Sequence, residues 1–290
     1  MRGGQILELG REPELALLPE PEEEDGDVLV EVEAVALNPL DLAVGAGRFY
    51  GGHPPLPYAP GCEGVGRIGD GTLVYLFGDG RGVGESGFLK ERVAVPAELP
   101  LQLPDGTDPA LAAAAGIAGI AGWVPVVWRA RVTSEDRVLV LGGTGTVGRV
   151  AAQAARLMGA QQVVAVGSRD LDRIGEEFGD EGFTVCIDPV WGEPLARALV
   201  HAAPHARVVH LGQSAGPEAP LRSADVRGKE LTILGHSNFA MTKEERDRAY
   251  LELLEHVTAG RIAFELQTFG LEDVAAAWRN QRGGKSVVLV

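Results

Sequence analysis

The feature that most constrains this chain is a glycine turn between a short apolar run and an alanine-rich segment. Residues 137–141 form an apolar run of the kind that a buried parallel strand needs. The spacing Gly143-x-Gly145-x-x-Gly148 follows, and apolar residues then recur at steps of three and four, as on one face of a helix. A second apolar run, 163–166, comes next. The order strand, glycine turn, helix, strand predicts an α/β fold whose parallel sheet binds a dinucleotide.

Each glycine of this turn has its own expected role. A tight turn needs Gly143, the close approach of a pyrophosphate needs Gly145, and helix–strand packing needs Gly148. Free N–H groups and the helix dipole at the turn favour an anion. Because glycine is abundant here (40 of 290 residues), the alternative is a structural turn in some other βαβ unit. The predicted cofactor-binding residues of the turn are Gly143, Thr144, Gly145, Thr146, Val147 and Gly148.

The end of the second strand indicates which dinucleotide is bound. NAD-binding units usually place an acidic residue about 20 residues beyond the glycines, where it holds the ribose 2′-hydroxyl. Here Gly167 stands at that place, followed by Ser168 and Arg169. Arginine binds a 2′-phosphate through paired hydrogen bonds, whereas a carboxylate repels it. We therefore predict NADP(H). In the alternative, Arg169 is a solvated loop charge and Asp170 holds the ribose of NAD.

Charge and composition limit the classes of partner. The net charge of −15 argues against nucleic acid and against an anionic membrane surface. Only two cysteines are present, which favours a reducing compartment over a disulfide framework. No apolar run reaches the length of a membrane span. The sequence predicts a cytoplasmic protein with a small-molecule substrate, and the chain length suggests two domains.

The amino-terminal half is predicted to be a small β-rich domain. Residues 28–35 alternate like an antiparallel strand with one solvated face. Residues 45–60 are rich in Gly, Pro and Tyr, and short β segments then continue from Gly61 to Val95. Further along, an apolar stretch over 108–128 predicts a helix that is interrupted at its glycines.

Four motifs stand out beyond the glycine turn: Asn38-Pro-Leu-Asp41, Pro60-Gly-Cys-Glu-Gly-Val-Gly66, Gly212-Gln-Ser-Ala-Gly216 and Gly284-Lys-Ser-Val-Val-Leu-Val290. Together with the glycine turn they resemble the medium-chain dehydrogenase/reductase superfamily, in its zinc-free quinone oxidoreductase branch. The resemblance runs over nearly the whole chain. It implies a Rossmann doubly wound parallel sheet inserted in a GroES-like β-rich catalytic domain, with cofactor and substrate in the cleft between them. Residues 1–119 and 237–290 would form the catalytic domain, and 120–236 the cofactor domain.

The same resemblance implies further cofactor contacts. The exit of the predicted strand 207–211 is Gly212-Gln213-Ser214, and the last strand of the sheet, 230–234, is followed by His236, Ser237 and Asn238. In the family, the nicotinamide amide is expected near the backbone of this last segment. The resemblance also implies a homodimer joined along 230–234, because that strand is otherwise an exposed edge.

Metal binding is not expected. Zinc-dependent relatives use a Cys, a His and a further Cys or acid, but this chain has Asn38 and Cys62 at the first two positions. The third falls among Ala and Gly near 113–119, and a single thiol does not hold zinc. We interpret Cys62 as a small buried residue instead of a nucleophile. His201, His205 and His210 are irregularly spaced, so we interpret them as surface or packing residues.

Two departures from the family pattern affect the predictions. Only about a dozen residues separate the Arg169 region from the next strand, 183–188, which leaves no room for the usual third strand and its helix. We therefore predict the strand order 2-1-4-5-6 and a less enclosed adenine. The family tyrosine that follows the Asn-Pro-x-Asp motif is also missing, since Leu42 and Ala43 follow Asp41.

Without a metal, hydride transfer needs an acceptor that is already electron-poor, or a donor that meets the developing oxyanion. Quinones and α,β-unsaturated carbonyls meet the first condition. Candidate catalytic donors are Asn38, Tyr50 and the pair His236-Ser237. Asn38 and Tyr50 also have structural alternatives, in which Asn38 fixes the loop before Pro39 and Tyr50 stacks on the rim. The alternative functions are a tailoring enoyl- or ketoreductase of secondary metabolism and a non-catalytic NADP(H)-binding protein.

Overall fold

The computed structural model describes residues 1–280 and 284–290. By its internal contacts the chain divides into two compact units. The first comprises Met1–Ile117 and Phe264–Val290, and the second comprises Ala118–Ala263. Among the described residues no single helix is long and apolar enough to cross a membrane, although the bent pair Pro109–Ala115 and Ile117–Arg129 passes that test when taken together.

The secondary structure follows the predicted alternation. The strands are β1 (Arg2–Gln5), β2 (Glu14–Leu17), β3 (Asp27–Ala36), β4 (Glu63–Ile68), β5 (Leu73–Phe77), β6 (Arg92–Pro96), β7 (Leu101–Gln102), β8 (Arg137–Leu141), β9 (Gln162–Val166), β10 (Phe183–Asp188), β11 (Ala202–His210), β12 (Thr232–Gly235), β13 (Leu266–Gly270) and β14 (Lys285–Leu289). The helices are α1 (Pro39–Gly45), α2 (Pro109–Ala115), α3 (Ile117–Val124), α4 (Thr146–Leu157), α5 (Arg173–Phe178), α6 (Gly192–Leu199), α7 (Ser223–Gly228), α8 (Lys243–Thr258) and α9 (Val274–Arg279). A π-helical turn, Pro125–Arg129, extends α3.

The first unit is β-rich, as predicted. Its main sheet has the order β13-β14-β3-β4-β5-β7, with β6 also paired to β3, and only the β13–β14 pair is parallel. Strands β1 and β2 form a separate antiparallel pair. The core of this unit gathers apolar residues from many segments, including Ile6, Val30, Phe88 and Trp278. Helix α2 packs against β3 and β4 of this sheet, and α1 begins beside the buried polar residues Asn38 and Asp41.

The second unit contains the predicted parallel sheet. Its order is β12-β11-β10-β8-β9, and every neighbouring pair is parallel. Counted along the chain in the family manner, this is the order 2-1-4-5-6 that the sequence predicts. Only the short helix α5 and a few turn residues connect β9 to β10. The sheet therefore ends at β9 on one side and at β12 on the other, within the described residues.

The boundary between the units differs from the predicted one. Residues 237–263 were expected with the catalytic domain, but they pack within the second unit. The reason is that α8 lies against two tryptophans of the α3 region. The rings of Trp123 and His256 are 5.0 Å apart, and the indole N–H of Trp128 donates to Glu252 at 3.0 Å. The Arg248 guanidinium also lies 5.0 Å from the Trp128 ring. These contacts fix α8 to the helices that precede the parallel sheet.

Several element boundaries also differ from those the sequence suggests. The helix predicted over 108–128 breaks at Gly116, as its glycines suggest, into α2 and α3. The predicted strand 230–234 instead begins at Thr232, because Glu230 adopts a positive φ of 51° that a strand does not allow. Strand β11 is longer than predicted and begins at Ala202.

Candidate active site and cofactor edge

The glycine turn stands between β8 and α4, and each of its glycines meets a different environment. A Cβ on Gly143 would lie 2.7 Å from Cβ of Ala165 on the neighbouring strand, and one on Gly148 would lie 2.4 Å from the carbonyl oxygen of Gly142. Gly145 is different, because the nearest protein atom would be 3.6 Å away. Two glycines are therefore needed for packing, and the third leaves open space in front of the turn.

The turn presents unsatisfied backbone donors to that space. Gly145 is the N-cap of α4 and no side chain caps the helix there, while Thr144 and Gly145 are exposed. The first N–H groups of a helix lack intrahelical partners and lie at the positive end of its dipole. The predicted residues from Gly143 to Gly148 thus have a geometry that favours an anion, as expected of a turn that receives a pyrophosphate.

Two residues of this turn were missed by the sequence reasoning. The left-handed conformation belongs to Gly142, with φ of 64°, one position before the predicted spacing. The signal available in the sequence was that two glycines, Gly142 and Gly143, follow each other at the end of the strand. Arg149, in the first turn of α4, donates from Nε to the carbonyl oxygen of Thr144 at 3.0 Å. A guanidinium there adds positive charge beside the turn, and no spacing rule pointed to it.

The end of β9 lies beside the glycine turn. Gly167 is buried, and a Cβ on it would meet Thr144 Cγ2 at 3.3 Å and Asp170 Oδ2 at 3.5 Å. Ser168, Arg169 and Asp170 are exposed. Arg169 makes no ion pair with any residue in 1–280 or 284–290, so its guanidinium is available to a ligand. The Asp170 carboxylate lies near Gly167, so both predicted ways of recognising the ribose 2′ position are geometrically open.

The remaining predicted cofactor residues lie at the same edge of the sheet, because they follow parallel strands. Gly212 has no room for a side chain, since a Cβ would lie 2.5 Å from the Pro189 carbonyl oxygen. Gln213 and Ser214 beside it are both exposed. After β12, the His236 backbone N–H donates to the carbonyl oxygen of His210 at 2.8 Å, which continues the ladder. The structure therefore brings all four predicted segments to one sheet edge.

His236 and Asn238 hold each other in place. His236 Nε2 lies 3.0 Å from Asn238 Oδ1, and since a carboxamide oxygen can only accept, the imidazole donates. Burial, assisted by the nearby Arg129 guanidinium, lowers the pKa of His236, although the Asn238 contact opposes that shift. Asn238 is buried and Ser237 lies beside it in the same segment. The segment thus presents its backbone and Ser237, while its imidazole is engaged within the protein.

The first unit contains a buried polar network at the predicted catalytic position. The Asn38 side chain donates one amide hydrogen to Ala36 O at 3.2 Å and the other to Glu63 Oε1 at 2.7 Å. Its Oδ1 accepts from Lys285 Nζ at 2.5 Å. Because both amide hydrogens are donated within the protein, the geometry favours the structural alternative for Asn38.

Glu63 is the centre of this network and has no solvent exposure. Its Oε2 accepts from the Tyr75 hydroxyl at 2.8 Å and from the Ile117 backbone N–H at 2.6 Å. The break at Gly116 directs that N–H to the carboxylate, since a Cβ on Gly116 would lie 1.8 Å from Oε2. Burial raises the pKa of Glu63, while Lys285 at 3.7 Å acts in the opposite direction. Burial also disfavours the charged form of Lys285, and it therefore lowers the pKa of Lys285.

Cys62 and Asp41 complete the buried set. Asp41 accepts from the backbone N–H groups of Asn38 at 2.7 Å and Cys62 at 2.8 Å, which fixes the start of α1. Burial, and then the Asp41 carboxylate, raise the pKa of the Cys62 thiol well above its usual range. A thiol held in its protonated form is a poor nucleophile. The described residues contain no group of three or more His, Cys, Asp or Glu side chains that could hold a metal ion.

Two tyrosines of the first unit contrast with each other. Tyr50 is 87% exposed, and its ring lies 4.4 Å from that of Phe49, which matches the alternative of stacking on a rim. Tyr58 was missed by the sequence reasoning. Its buried hydroxyl has no hydrogen-bond partner among the described residues, and burial raises its pKa to about 12. The Tyr58 hydroxyl is therefore protonated at neutral pH.

Comparisons with known proteins agree with this architecture. Two family models match the chain, the alcohol dehydrogenase GroES-like domain over residues 24–105 and the zinc-binding dehydrogenase over 158–287. Human quinone oxidoreductase is 26% identical over 97% of this chain and 93% of its own length. A solved structure of quinone oxidoreductase from Thermus thermophilus, also determined in complex with NADPH, is 28% identical with a TM-score of 0.83, over 100% of both chains.

The chain belongs to the medium-chain dehydrogenase/reductase superfamily, in its quinone oxidoreductase branch. The predicted fold class, a Rossmann sheet together with a GroES-like β-rich domain, is thereby confirmed. As a member of this superfamily the protein is an oxidoreductase. It is also similar to part of the phenolphthiocerol/phthiocerol polyketide synthase of Mycobacterium tuberculosis, with 28% identity to one of its subunits over 89% of this chain and 13% of that protein.

Proposed function

We propose that this medium-chain dehydrogenase/reductase transfers hydride from NADPH to a quinone or an α,β-unsaturated carbonyl compound, without zinc. The observation that carries the proposal is the cofactor edge of the parallel sheet. There an open glycine turn is followed, one strand away, by an exposed arginine without an ion-pair partner among the described residues. The similarity to quinone oxidoreductases, one of them solved with NADPH, supports the same cofactor.

The residues at this edge fit NADP(H). The N–H groups opening α4 suit the pyrophosphate, with Gly145 leaving room for its approach. The Arg169 guanidinium suits the 2′-phosphate, with Ser168 beside it. Gly212, Gln213, Ser214 and the 236–238 segment are proposed to hold the nicotinamide side. When bound, NADPH supplies the hydride, and the protein orients it and sets the electrostatics around it.

The donors present at the catalytic position do not fit zinc. Asn38 uses both amide hydrogens and its oxygen inside the network, and the described residues offer no group of three His, Cys, Asp or Glu side chains that could hold a metal ion. A catalytic zinc needs three protein ligands, and a thiol binds as the thiolate. We therefore derive no step through a metal. The proposed acceptors are correspondingly those whose conjugation already makes them electron-poor.

Protonation of the reduced product needs a separate donor. Of the two predicted catalytic residues, we retain Tyr50 as the candidate donor because its side chain is exposed, and we assign Asn38 to the organisation of the buried network. Ser237, which follows β12, is the second candidate. A Tyr50→Phe variant that keeps full turnover would assign the donor elsewhere.

A homodimer joined along β12 is part of the proposal. The strand lies at one end of the parallel sheet and, within the described chain, pairs on one side with β11. Ile233 on this strand is exposed. Unpaired strand edges are templates for pairing with a second chain. Equilibrium sedimentation of the wild-type protein and of an Ile233→Lys variant tests this, because a charge on the edge strand should favour the monomer.

A tailoring enoyl- or ketoreductase is the second candidate function. The similarity to part of a polyketide synthase favours it. In a third possibility, the protein binds NADP(H) without turnover. All three use the cofactor edge. The first two differ in the acceptor that is reduced, and the third has no acceptor.

The test follows the absorbance of NADPH with phenanthrenequinone, with a simple enone and with an acyl thioester enone, each with and without a chelator. The leading proposal is supported if phenanthrenequinone or the simple enone is reduced and a chelator does not change the rate. Turnover confined to the thioester supports the tailoring reductase. NADPH binding by calorimetry without turnover on any acceptor supports the non-catalytic alternative, and activity that chelator abolishes contradicts the zinc-free assignment.

A further inference from the structure

A group of three side chains at the cofactor edge was not predicted. The sequence suggested that His210 is a surface or packing residue, like His201 and His205. His201 does pack, next to Gly175, and His205 forms an exposed ion pair with Glu230. His210 is different, because its Nδ1 lies 3.2 Å from Oδ2 of the fully buried Asp188. A buried carboxylate beside a partly exposed imidazole is an arrangement that orients the ring.

Asp188 organises the loop as well as the imidazole. Its Oδ1 accepts from the backbone N–H groups of Val190 at 3.0 Å and Trp191 at 2.8 Å. These bonds hold Trp191 at a φ of 60°, in the left-handed region that a bulky residue rarely adopts. Such a strained conformation persists where surrounding contacts enforce it, often at functional sites. The position would suit glycine better, yet a tryptophan occupies it.

The ring of Trp191 packs on the ring of His210. Their centroids are 4.1 Å apart at an interplanar angle of 39°. With Nδ1 directed to a carboxylate that can only accept, Nδ1 carries a hydrogen. The opposite nitrogen, Nε2, has no partner within 1–280 and 284–290, and the side chain is 28% exposed. Asp188 and Trp191 therefore hold His210 in one orientation with one polar atom left for a ligand.

The position of the group in the sheet indicates which ligand. The sheet order from Arg169 onward is β9, β8, β10, β11, so His210 lies three strands from the end of β9. At the usual strand separation this is about 14 Å. The loop after β10 also touches both neighbouring cofactor loops, since a Cβ on Gly142 would meet Val190 Cγ1 at 2.9 Å and one on Gly212 would meet the Pro189 oxygen at 2.5 Å. A dinucleotide with its phosphates at β8 and β9 extends its other half over β10 and β11.

We propose that His210, oriented by Asp188 and Trp191, binds the nicotinamide-side half of the cofactor through Nε2. A ribose hydroxyl is the matching group, because it can donate to a neutral Nε2 or accept from a protonated one. This assignment rests on the proposed NADP(H) function and adds a residue to its binding site. His210 becomes a cofactor-binding residue, and Asp188 and Trp191 become positioning residues.

Two substitutions separate the two nitrogens of His210. His210→Asn keeps a donor near the place of Nδ1, so the buried Asp188 retains a partner, but it removes the distal nitrogen. His210→Gln places an amide near the position of Nε2. Each variant is titrated by calorimetry with NADPH and with adenosine 2′,5′-bisphosphate, which carries the adenosine half and its 2′-phosphate but lacks the nicotinamide half. Thermal unfolding of each variant controls for damage to the fold.

For His210→Asn we expect NADPH to bind about tenfold more weakly, as for the loss of one well-oriented hydrogen bond. Binding of the bisphosphate should not change, and His210→Gln should recover part of the NADPH affinity. Unchanged NADPH binding by His210→Asn overturns the inference, and so does an equal loss for both ligands, which indicates a general disturbance of the edge. A wild-type protein that binds neither ligand overturns the proposed function itself, and the inference with it.

Discussion

The buried network of the first unit and the cofactor edge of the second use polar groups in opposite ways. In the network, Glu63 receives three hydrogen bonds and a nearby ammonium, and Asn38 uses every polar atom of its side chain. At the edge, no side chain caps the opening of α4, and the Arg169 guanidinium makes no ion pair in the described part of the chain. A saturated network specifies a structure, whereas unsatisfied donors on a rigid frame can bind a ligand.

This difference explains why the family motif of the first unit is a poorer guide to ligand-binding residues than the glycine motif of the second. Asn38 and Asp41 belong to a motif of the family, yet here they fasten the start of α1 to β4 and β14. The glycines between Gly142 and Gly148 are also structural in part, but Gly145 leaves space that no protein atom fills. Stability should therefore respond to changes in the network, and cofactor affinity to changes at the edge.

The largest expected effect is on stability and comes from Lys285→Met. It leaves the Glu63 carboxylate buried with no cation nearby, and removing one partner of a buried ion pair costs about 3–5 kcal/mol. The matched control is Lys243→Met, which breaks the more exposed pair with Asp247 and should cost less than about 1 kcal/mol. Urea unfolding measures both. A double variant, Lys285→Met with Glu63→Gln, should lose less stability than Lys285→Met alone. Equally small losses of stability for Lys285→Met and Lys243→Met would contradict the contrast between the buried network and the surface.

The second prediction compares two glycines of one turn. Gly148→Ala places a Cβ 2.4 Å from the Gly142 oxygen, so overpacking should cost about 1–3 kcal/mol of stability. Gly145→Ala meets its nearest protein atom only at 3.6 Å, so it causes no overpacking, and its stability should fall by about 0.5–1 kcal/mol because alanine is a poorer N-cap than glycine. NADPH affinity should nevertheless fall for Gly145→Ala, because the Cβ occupies the space of the pyrophosphate. Thermal unfolding and calorimetry on both variants test this, and a Gly145→Ala protein that binds NADPH normally would place the pyrophosphate elsewhere.

The sequence predicts the second unit better than the first because its signals are local. The glycine spacing and two apolar runs predict the parallel sheet, and the short connection, compared with the family pattern, predicts its strand order. The Glu63–Lys285 pair joins segments from opposite ends of the chain, and neither residue stands in a pattern that shows the other. The Asp188–His210 pair could not be predicted for the same reason. In the sequence, a histidine at the end of a strand that packs cannot be distinguished from one that binds a ligand. The boundary at α8 depends on packing against Trp123 and Trp128, which the family division could not show.

The third prediction tests which residue at the end of β9 selects the nucleotide. Arg169→Ala should weaken NADPH binding by about 10- to 100-fold, as for the loss of a hydrogen bond to a charged group, and should leave NADH binding unchanged. Arg173→Ala, in an exposed pair with Glu177, is the matched arginine control and should have no effect on either ligand. Calorimetry with both nucleotides gives the answer. If instead Asp170→Ala weakens NADH strongly while Arg169→Ala weakens both equally, Asp170 holds the ribose and the NAD alternative is right.

The smallest expected effect is on the pH dependence of stability. It comes from His236, which lies at the edge and is hydrogen-bonded to Asn238. Because burial lowers the pKa of His236 in the folded state, folding is favoured above the unfolded pKa of about 6.5, and that stability is lost as the pH falls through the folded pKa. One proton accounts for a slope of at most about 1.4 kcal/mol per pH unit. The free energy of unfolding of wild type should therefore fall more steeply below pH of about 6.5 than that of His236→Gln. Parallel curves for wild type and His236→Gln would contradict the prediction. They would mean that protonation of His236 does not destabilise the folded protein, so that this edge has no pH-sensitive contact at His236.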